Sequence, residues 1–383
     1  MALSPAARQT YLLYASQLSQ MLFGALTYLV LSNHLSRETF GDRELVIKIV
    51  TFTLSFFEFG IFFSGARLLA HQKDKAEETR LMSALVFVGC VICVAYALFL
   101  MAIAPLTDAL FKTHQSVASV LAMFSFPLSL SLFGFSFFQF LYQGANQILK
   151  LSFLNFAIRF AHLASILAWL FFAPLDLTSA LALHSLSIAS VTGVLIAKAK
   201  PSLAAWRAHR GEILTETKRY GRDVFIGHLV GQACANLDAM LLGAFFDSVA
   251  VGAYALALFF VAPISAFSEA YSAASFKRLA ERSEIPNGVH FANLAGLLAL
   301  ASAYLFAGDW AFRTLFPKYA EKSVLAYPLV AAMVISGLTK PYNAFFRVKG
   351  EGKIFNRVAL IYALASFVAN ALLIPFFAET GAA

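Results

Sequence analysis

The sequence predicts an all-α integral membrane protein of about eleven spans. Two features of composition and one of pattern carry that expectation. Of 383 residues, 60% are apolar and 13% charged, outside the range of soluble domains, and the mean hydropathy is +0.73. Apolar runs long enough to cross a bilayer core, about 20 residues for about 30 Å, recur with short connections. Lipid offers the backbone no hydrogen-bond partner, so such runs must satisfy their own amides and form helices.

In chain order the runs cover 11–34, 44–70, 81–106, 116–142, 151–173, 177–198, 223–246, 249–275, 290–314, 324–346 and 355–378. The first is too long for a signal-peptide core and lacks a small-residue cleavage site, so it is expected to stay as a permanent span. With the N-terminus inside, 19 Lys and Arg fall in cytoplasmic segments and 7 in outer ones, among them Arg37 and Arg43. Arg67, Arg159 and Lys340 lie within spans. The asymmetry favours a cytoplasmic N-terminus. It also accounts for the net charge of +8 without any nucleic-acid partner, because basic loops meet anionic lipid headgroups.

The longest polar connection, 199–222, is strongly basic. It divides the chain into an N-terminal lobe (1–198, six spans), a cytoplasmic linker (199–222) and a C-terminal lobe (223–383, five spans). Six spans before the linker give both halves the same starting orientation, so a repeat should be parallel. A slide of 211 residues pairs Gly41 with Gly252, and a slide of 206 pairs Gly144 with Gly350.

Ionisable groups inside a bilayer cost about 2.5–3.5 kcal/mol on insertion scales, so they face a cavity or a partner. Asn155, Arg159 and His162 form one polar stripe on the fifth span. Either it lines a cavity for an anionic substrate or its Arg pairs with a neighbouring carboxylate. Glu58 sits mid-span and is a candidate charge partner or coupling group, whereas Arg67 and Lys340 are near enough to the rim to snorkel. On the seventh span His228, Gln232 and Asn236 share a face. With Gln17 and Gln20 of the first span they offer hydrogen bonds either to sugar hydroxyls or to neighbouring helices. Asp238 and Glu269 are further candidates for ion coupling, or for a structural pair or cap. His184 stands alone and reads as a packed core histidine.

Enzyme and metal signatures fail. Cys90 and Cys93 have redox spacing, but both sit inside a continuous apolar helix. Lys349–Lys353 superficially matches a phosphate loop, yet the first glycine and the following Ser or Thr are missing. No metal-ligand spacing occurs, no cofactor is implied, and the short outer loops leave no room for a large catalytic loop.

The hairpin 222–278, with its Val251-Gly252-Ala253-Tyr254 turn, resembles the seventh and eighth helices of polysaccharide flippases. These are the Wzx-like branch of the multidrug/oligosaccharidyl-lipid/polysaccharide exporter superfamily. Phe57-Glu58-Phe59-Gly60 with Ser64-Gly65-Ala66-Arg67 resembles the family's second helix, and Tyr142–Asn146 with Lys150 its turn between helices four and five. Lys349–Lys353 with the Asn370–Pro375 stretch is similar to its tenth-to-eleventh helix region. The family usually has twelve or more spans, and this chain stops where a twelfth would begin. It is therefore expected to be a truncated or divergent member, or to hold a span not recognised above.

The resemblance implies two lobes in a V around a central cavity, as in the multidrug exporters of the superfamily. It implies flipping of a polyprenyl-pyrophosphate-linked oligosaccharide across a bacterial inner membrane for surface polysaccharide synthesis (O-antigen of lipopolysaccharide, capsule or exopolysaccharide). Membrane lipids and a polysaccharide polymerase or assembly complex are the partners it suggests. Arg159 and Arg67 would meet the pyrophosphate, and Glu58, Asp238 or Glu269 would couple transport to protons or sodium. An ion-coupled multidrug exporter of the same superfamily is the alternative within transport; a membrane enzyme acting on polyprenyl-linked sugars is the alternative from another class.

Overall fold

A computed structural model describes the backbone of residues 5–280, 284–349 and 352–383, and the side chains within them except 5–18, 233, 273–280, 347–349, 352–356 and 359. Gly350, Glu351 and the side chains of Gln17, Lys349 and Lys353, all used above, lie outside the described residues. Among the described residues there is no strand.

The helices are α1 (Pro5–His34), α2 (Arg37–Leu54), α3 (Ile61–His71), α4 (Lys75–Leu110), α5 (Val117–Met123), α6 (Ser125–Ser129), α7 (Phe138–Gly144), α8 (Ile148–Trp169), α9 (Leu177–Ala199), α10 (Leu203–Glu216), α11 (Arg222–Phe245), α12 (Ser248–Ala280), α13 (Asn287–Leu315), α14 (Ala326–Lys349) and α15 (Gly352–Ala382). Short 3-10 segments cover Ser55–Phe57 and Pro317–Leu325, and π-helical segments cover Leu132–Phe137 and Thr217–Gly221. Among the described residues nine helices, or ten with the bent pair α2–α3, are long and apolar enough to cross a membrane. The first expected span corresponds to α1, whose early side chains are not described.

Local chemistry sets the helix starts. Asp74, Ser116 and Ser202 cap α4, α5 and α10 by accepting from backbone amides of the first turn. Asp176 and Ser179 form a reciprocal capping box at α9. Hydrogen bonds from the Ser179 hydroxyl and amide hold the Asp176 carboxyl below its usual range. That stabilisation is complete above the ordinary carboxylate range and is lost as pH falls through the lowered value. Prolines 105, 263 and 341 sit inside helices, which is tolerated in membranes because neighbouring groups re-satisfy the freed carbonyls.

Two compact units emerge, one of 1–35 with 46–233 and one of 36–45 with 234–383. In the first, α1 lies along α8 and α3 along α7, while α4 packs on α5, α6 and α10. Between apolar helices in lipid, contact and shape rather than water exclusion hold the bundle together. Phe62, Phe133, Phe137 and Phe138 are fully buried there, with edge-on rings. The basic connection expected at 199–222 contains a helix, α10, that lies against α4. His209 Nε2 meets Glu77 Oε1 at 2.7 Å, and the Lys200 carbonyl accepts from the Ser83 hydroxyl.

In the second unit α12 and α14 form the closest pair, with α13 against both. Ser268 of α12 donates to Asn293 Oδ1 of α13 at 2.6 Å, and Asn293 Nδ2 donates to the Gly337 carbonyl of α14 at 3.3 Å. This buried polar knot joins three helices. The first residues of α2 belong to this unit, and Asp42, Arg43 and Glu44 are buried in it. Arg43 pairs with Glu44. Arg43, counted above among the outer charges, therefore lies within a helix rather than in a connection. The helix begins at Arg37, ahead of the first apolar residues, because tertiary burial rather than hydropathy defines it.

Gly41 and Gly252 lie against each other, and a Cβ on Gly252 would come 3.0 Å from the Gly41 Cα. A Cβ on Gly41 would collide with the Ser248 carbonyl oxygen, a backbone atom that cannot rotate away. Gly41→Val is expected to destabilise the protein by about 3 kcal/mol, the upper part of the overpacking range. Thermal unfolding in detergent reads it; an unchanged melting curve would mean that the crossing relaxes freely.

Candidate functional site

The site begins at a break in the backbone. After the 3-10 segment, Phe59 (φ 48°) and Gly60 (φ 75°) both take left-handed conformations. The α2–Phe57 stretch and α3 consequently diverge by 62°. The span read over 44–70 is thus broken at Gly60, and the turn also needs a left-handed phenylalanine held by its surroundings.

Glu58 stands at this break with 1% of its surface exposed. Ser136, in the first π segment, donates to Glu58 Oε1 at 2.6 Å. The other oxygen, Oε2, lies 3.2 Å from His228 Nε2 of α11. The approach is off the line a hydrogen bond needs, and Oε2 has no hydrogen bond among the described residues. The His228 ring is wedged edge-on against Phe63 and Phe140, with centroids at 5.3 and 5.9 Å, and is a quarter exposed.

The second π segment reaches the same place. A Cβ on Gly60 would lie 2.6 Å from the carbonyl carbon and oxygen of Gly221, so α3 and that segment touch through bare backbone. Two irregular stretches thus meet the break at 55–60: 132–137 through Ser136 at Glu58, and 217–221 through Gly221 at Gly60. Such bulges and broken helices mark places where side chains are re-aimed for function.

The other expected residues are placed as follows. Arg67 Nη1 pairs with Glu216 Oε1 at 2.9 Å, and its guanidinium lies 4.6 Å from the Tyr220 ring centre. Asn155 accepts from Gln139 Nε2, tying α8 to α7. Arg159 is half-buried with its guanidinium 5.8 Å from the Phe135 ring centre. His162 turns inward and packs on His184, centroids 4.8 Å apart, so the stripe on the fifth span splits between an interface and a half-exposed face. Gln20 and Gln232 are half-exposed, and Asn236 is buried.

In the second unit Asp238 accepts from Tyr254 Oη, which also reaches the Ala382 carbonyl at 3.4 Å. Glu269 is 70% exposed and lies 3.7 Å from Lys340 Nζ. Of the three carboxylates considered for ion coupling, Glu58 lies beside a second candidate, His228. Sequence reasoning missed Ser136, Glu216 and Tyr220. None carries a signal: Ser136 is one serine in a phenylalanine-rich run, and Glu216 belongs to a polar connection. Among the described residues no group of three His, Cys, Asp or Glu could hold a metal.

Long apolar helices, some broken at a buried ionisable pair, define a multi-pass helical membrane protein. Its fold is that of flippases and exporters. The structure is similar to a lipid II flippase MurJ in an inward closed conformation (TM-score 0.78, 12% identity), covering 97% of this chain and 83% of that one. It is also similar to an inward-facing multidrug resistance MATE transporter of the MOP superfamily (TM-score 0.73, 14% identity, 95% and 89% covered). A eukaryotic MATE transporter, AtDTX14, has a TM-score of 0.59 and 16% identity, with 98% and 90% covered. No curated protein sequence matches at a significant level. The chain belongs to the polysaccharide biosynthesis protein family, whose family model matches residues 6–279.

Proposed function

We propose that the protein flips a polyprenyl-pyrophosphate-linked oligosaccharide unit across the bacterial cytoplasmic membrane for surface polysaccharide assembly. The observation that carries this is the family match over 6–279; the likeness to a lipid II flippase supports it. The N-terminus and the basic 199–222 segment face the cytoplasm in this reading, and the lobes are 1–198 and 223–383. The lipid tail stays in the bilayer while polar side chains conduct the glycan, and Arg159 meets the pyrophosphate. Arg67, which pairs with Glu216 in this structure, is the second candidate for that contact. Transport proceeds by alternating access without covalent chemistry.

Reconstitution in proteoliposomes tests the proposal. A labelled polyprenyl-pyrophosphate oligosaccharide is expected to cross the bilayer unchanged. Absence of movement, or covalent change of the glycan, would overturn it. The likeness to MATE transporters favours a second reading, export of cationic drugs. Efflux of a cationic dye from the same vesicles, with the glycolipid left in place, would establish that reading instead.

A further inference from the structure

We infer that α10 is a membrane-surface helix that binds anionic lipid headgroups through one face, in the leaflet beside the turn between α3 and α4. This docking surface is separate from whatever the protein carries across the bilayer.

The sequence of α10 gives it two faces. Leu203, Arg207, Arg210 and Leu214 recur at i, i+4, i+7 and i+11, which sets them on one side of the helix. All four are exposed, the leucines at 45% and 43%. His209 and Ile213, roughly a third of a turn round, are buried. They belong to the face that packs on α4 and α3, where His209 Nε2 meets Glu77 Oε1 at 2.7 Å. One side of α10 is therefore committed to the bundle, and the stripe is offered outward.

The offered side is positive and keeps its charge. Ion pairs among the described residues of this region use Glu77, Glu78, Glu216 and Asp223. None includes Arg207, Arg210, Lys218 or Arg219. Glu216 is turned to Arg67 at 2.9 Å, and Glu212 lies nearly half a turn from the stripe. Lys218 and Arg219, both exposed, extend the positive edge past the end of α10. Leucines interleaved with the arginines fit a lipid surface better than a soluble acidic protein. Arginine stems reach phosphates while the apolar tips enter the acyl boundary.

The ends of α10 set its level. It has 14 residues, about 21 Å of helix. It begins at Leu203, shortly after α9 ends at Ala199, and the apolar run of α11 opens at Val224. Just ahead of its start the Lys200 carbonyl accepts from Ser83, and at its end Glu216 holds Arg67. The sequence of α4 passes from polar to apolar between Arg80 and Leu81, so the contacts at Glu77 and Ser83 straddle that boundary. A helix tied across it lies in the headgroup layer, where each nearby cation attracts anionic lipid.

Trp206, half-buried on α10, is the probe. With Trp169 and Trp310, the other two tryptophans, changed to Phe, the full chain is reconstituted without substrate in vesicles of phosphatidylcholine and phosphatidylglycerol. Bromine is placed on the chains of one lipid at a time. Brominated phosphatidylglycerol is expected to quench Trp206 at a lipid fraction roughly tenfold or more below that needed with brominated phosphatidylcholine. High salt should narrow the gap. In the Arg207→Gln, Arg210→Gln variant the two lipids should quench alike to within a few-fold, because each charge is worth roughly fivefold. Lys73→Gln, an exposed cation off the helix, should keep the full preference. Equal quenching by both lipids in the parent would overturn the inference and leave an acidic protein as the occupant of the stripe. A preference kept without the two arginines, or lost equally in Lys73→Gln, would overturn it in favour of diffuse charge. Leu203→Ser with Leu214→Ser should weaken quenching by both lipids; unchanged quenching there would overturn the seated face. With no substrate present, none of these results depends on whether the protein flips a glycolipid.

Discussion

Gly60→Val is expected to leave little folded protein. At φ 75° an L-residue is strained by about 1–2 kcal/mol, and a β-branched one more. The added Cβ would also lie 2.6 Å from two backbone atoms of Gly221. Neither can rotate aside, so the α2–α3 break or the 217–221 segment must shift, and overpacking adds about 1–3 kcal/mol. The sum is a large part of a typical folding stability of about 5–15 kcal/mol. Gly193→Ala is the control: its Cβ would meet nothing within 4 Å, and an alanine inside a helix is favoured by about 0.5–1 kcal/mol. The monodisperse fraction and the melting temperature in detergent read both. A Gly60→Val protein that melts like the parent would show that the left-handed turn is not needed.

That turn illustrates what a sequence of this kind reveals. Helices were legible because lipid imposes length and apolarity on each span, and the runs at 81–106, 177–198 and 290–314 fall within α4, α9 and α13. The break was not, because it depends on Phe59 being held left-handed by residues far along the chain. The helical nature of α10 was hidden by its mixed polarity, which reads as a loop until α4 is placed beside it. Glu58 and His228 were each visible as polar residues in apolar runs. Their meeting was not, since 170 residues separate them and neither spacing nor periodicity links the second span to the seventh. Asn155, Arg159 and His162 do share one helix, but their spacing could not say what each faces: Asn155 meets Gln139 of α7, and His162 packs on His184 of α9.

Arg159 is where substrate recognition should fail most sharply. Its guanidinium lies 5.8 Å from the Phe135 ring centre, a contact worth about 0.5–1 kcal/mol at a partly exposed site. Its donors to a pyrophosphate would be charge-assisted, each worth about 1.5–3 kcal/mol, and a planar fork can make two at once. Arg159→Ala should therefore lower glycolipid flipping by roughly 10- to 100-fold in protein that still folds. Arg159→Lys keeps the charge but loses the fork, and an intermediate rate is expected. Full flipping by folded Arg159→Ala would remove this residue from recognition. A matching collapse of the melting curve would show instead that its role is to hold α8 in place.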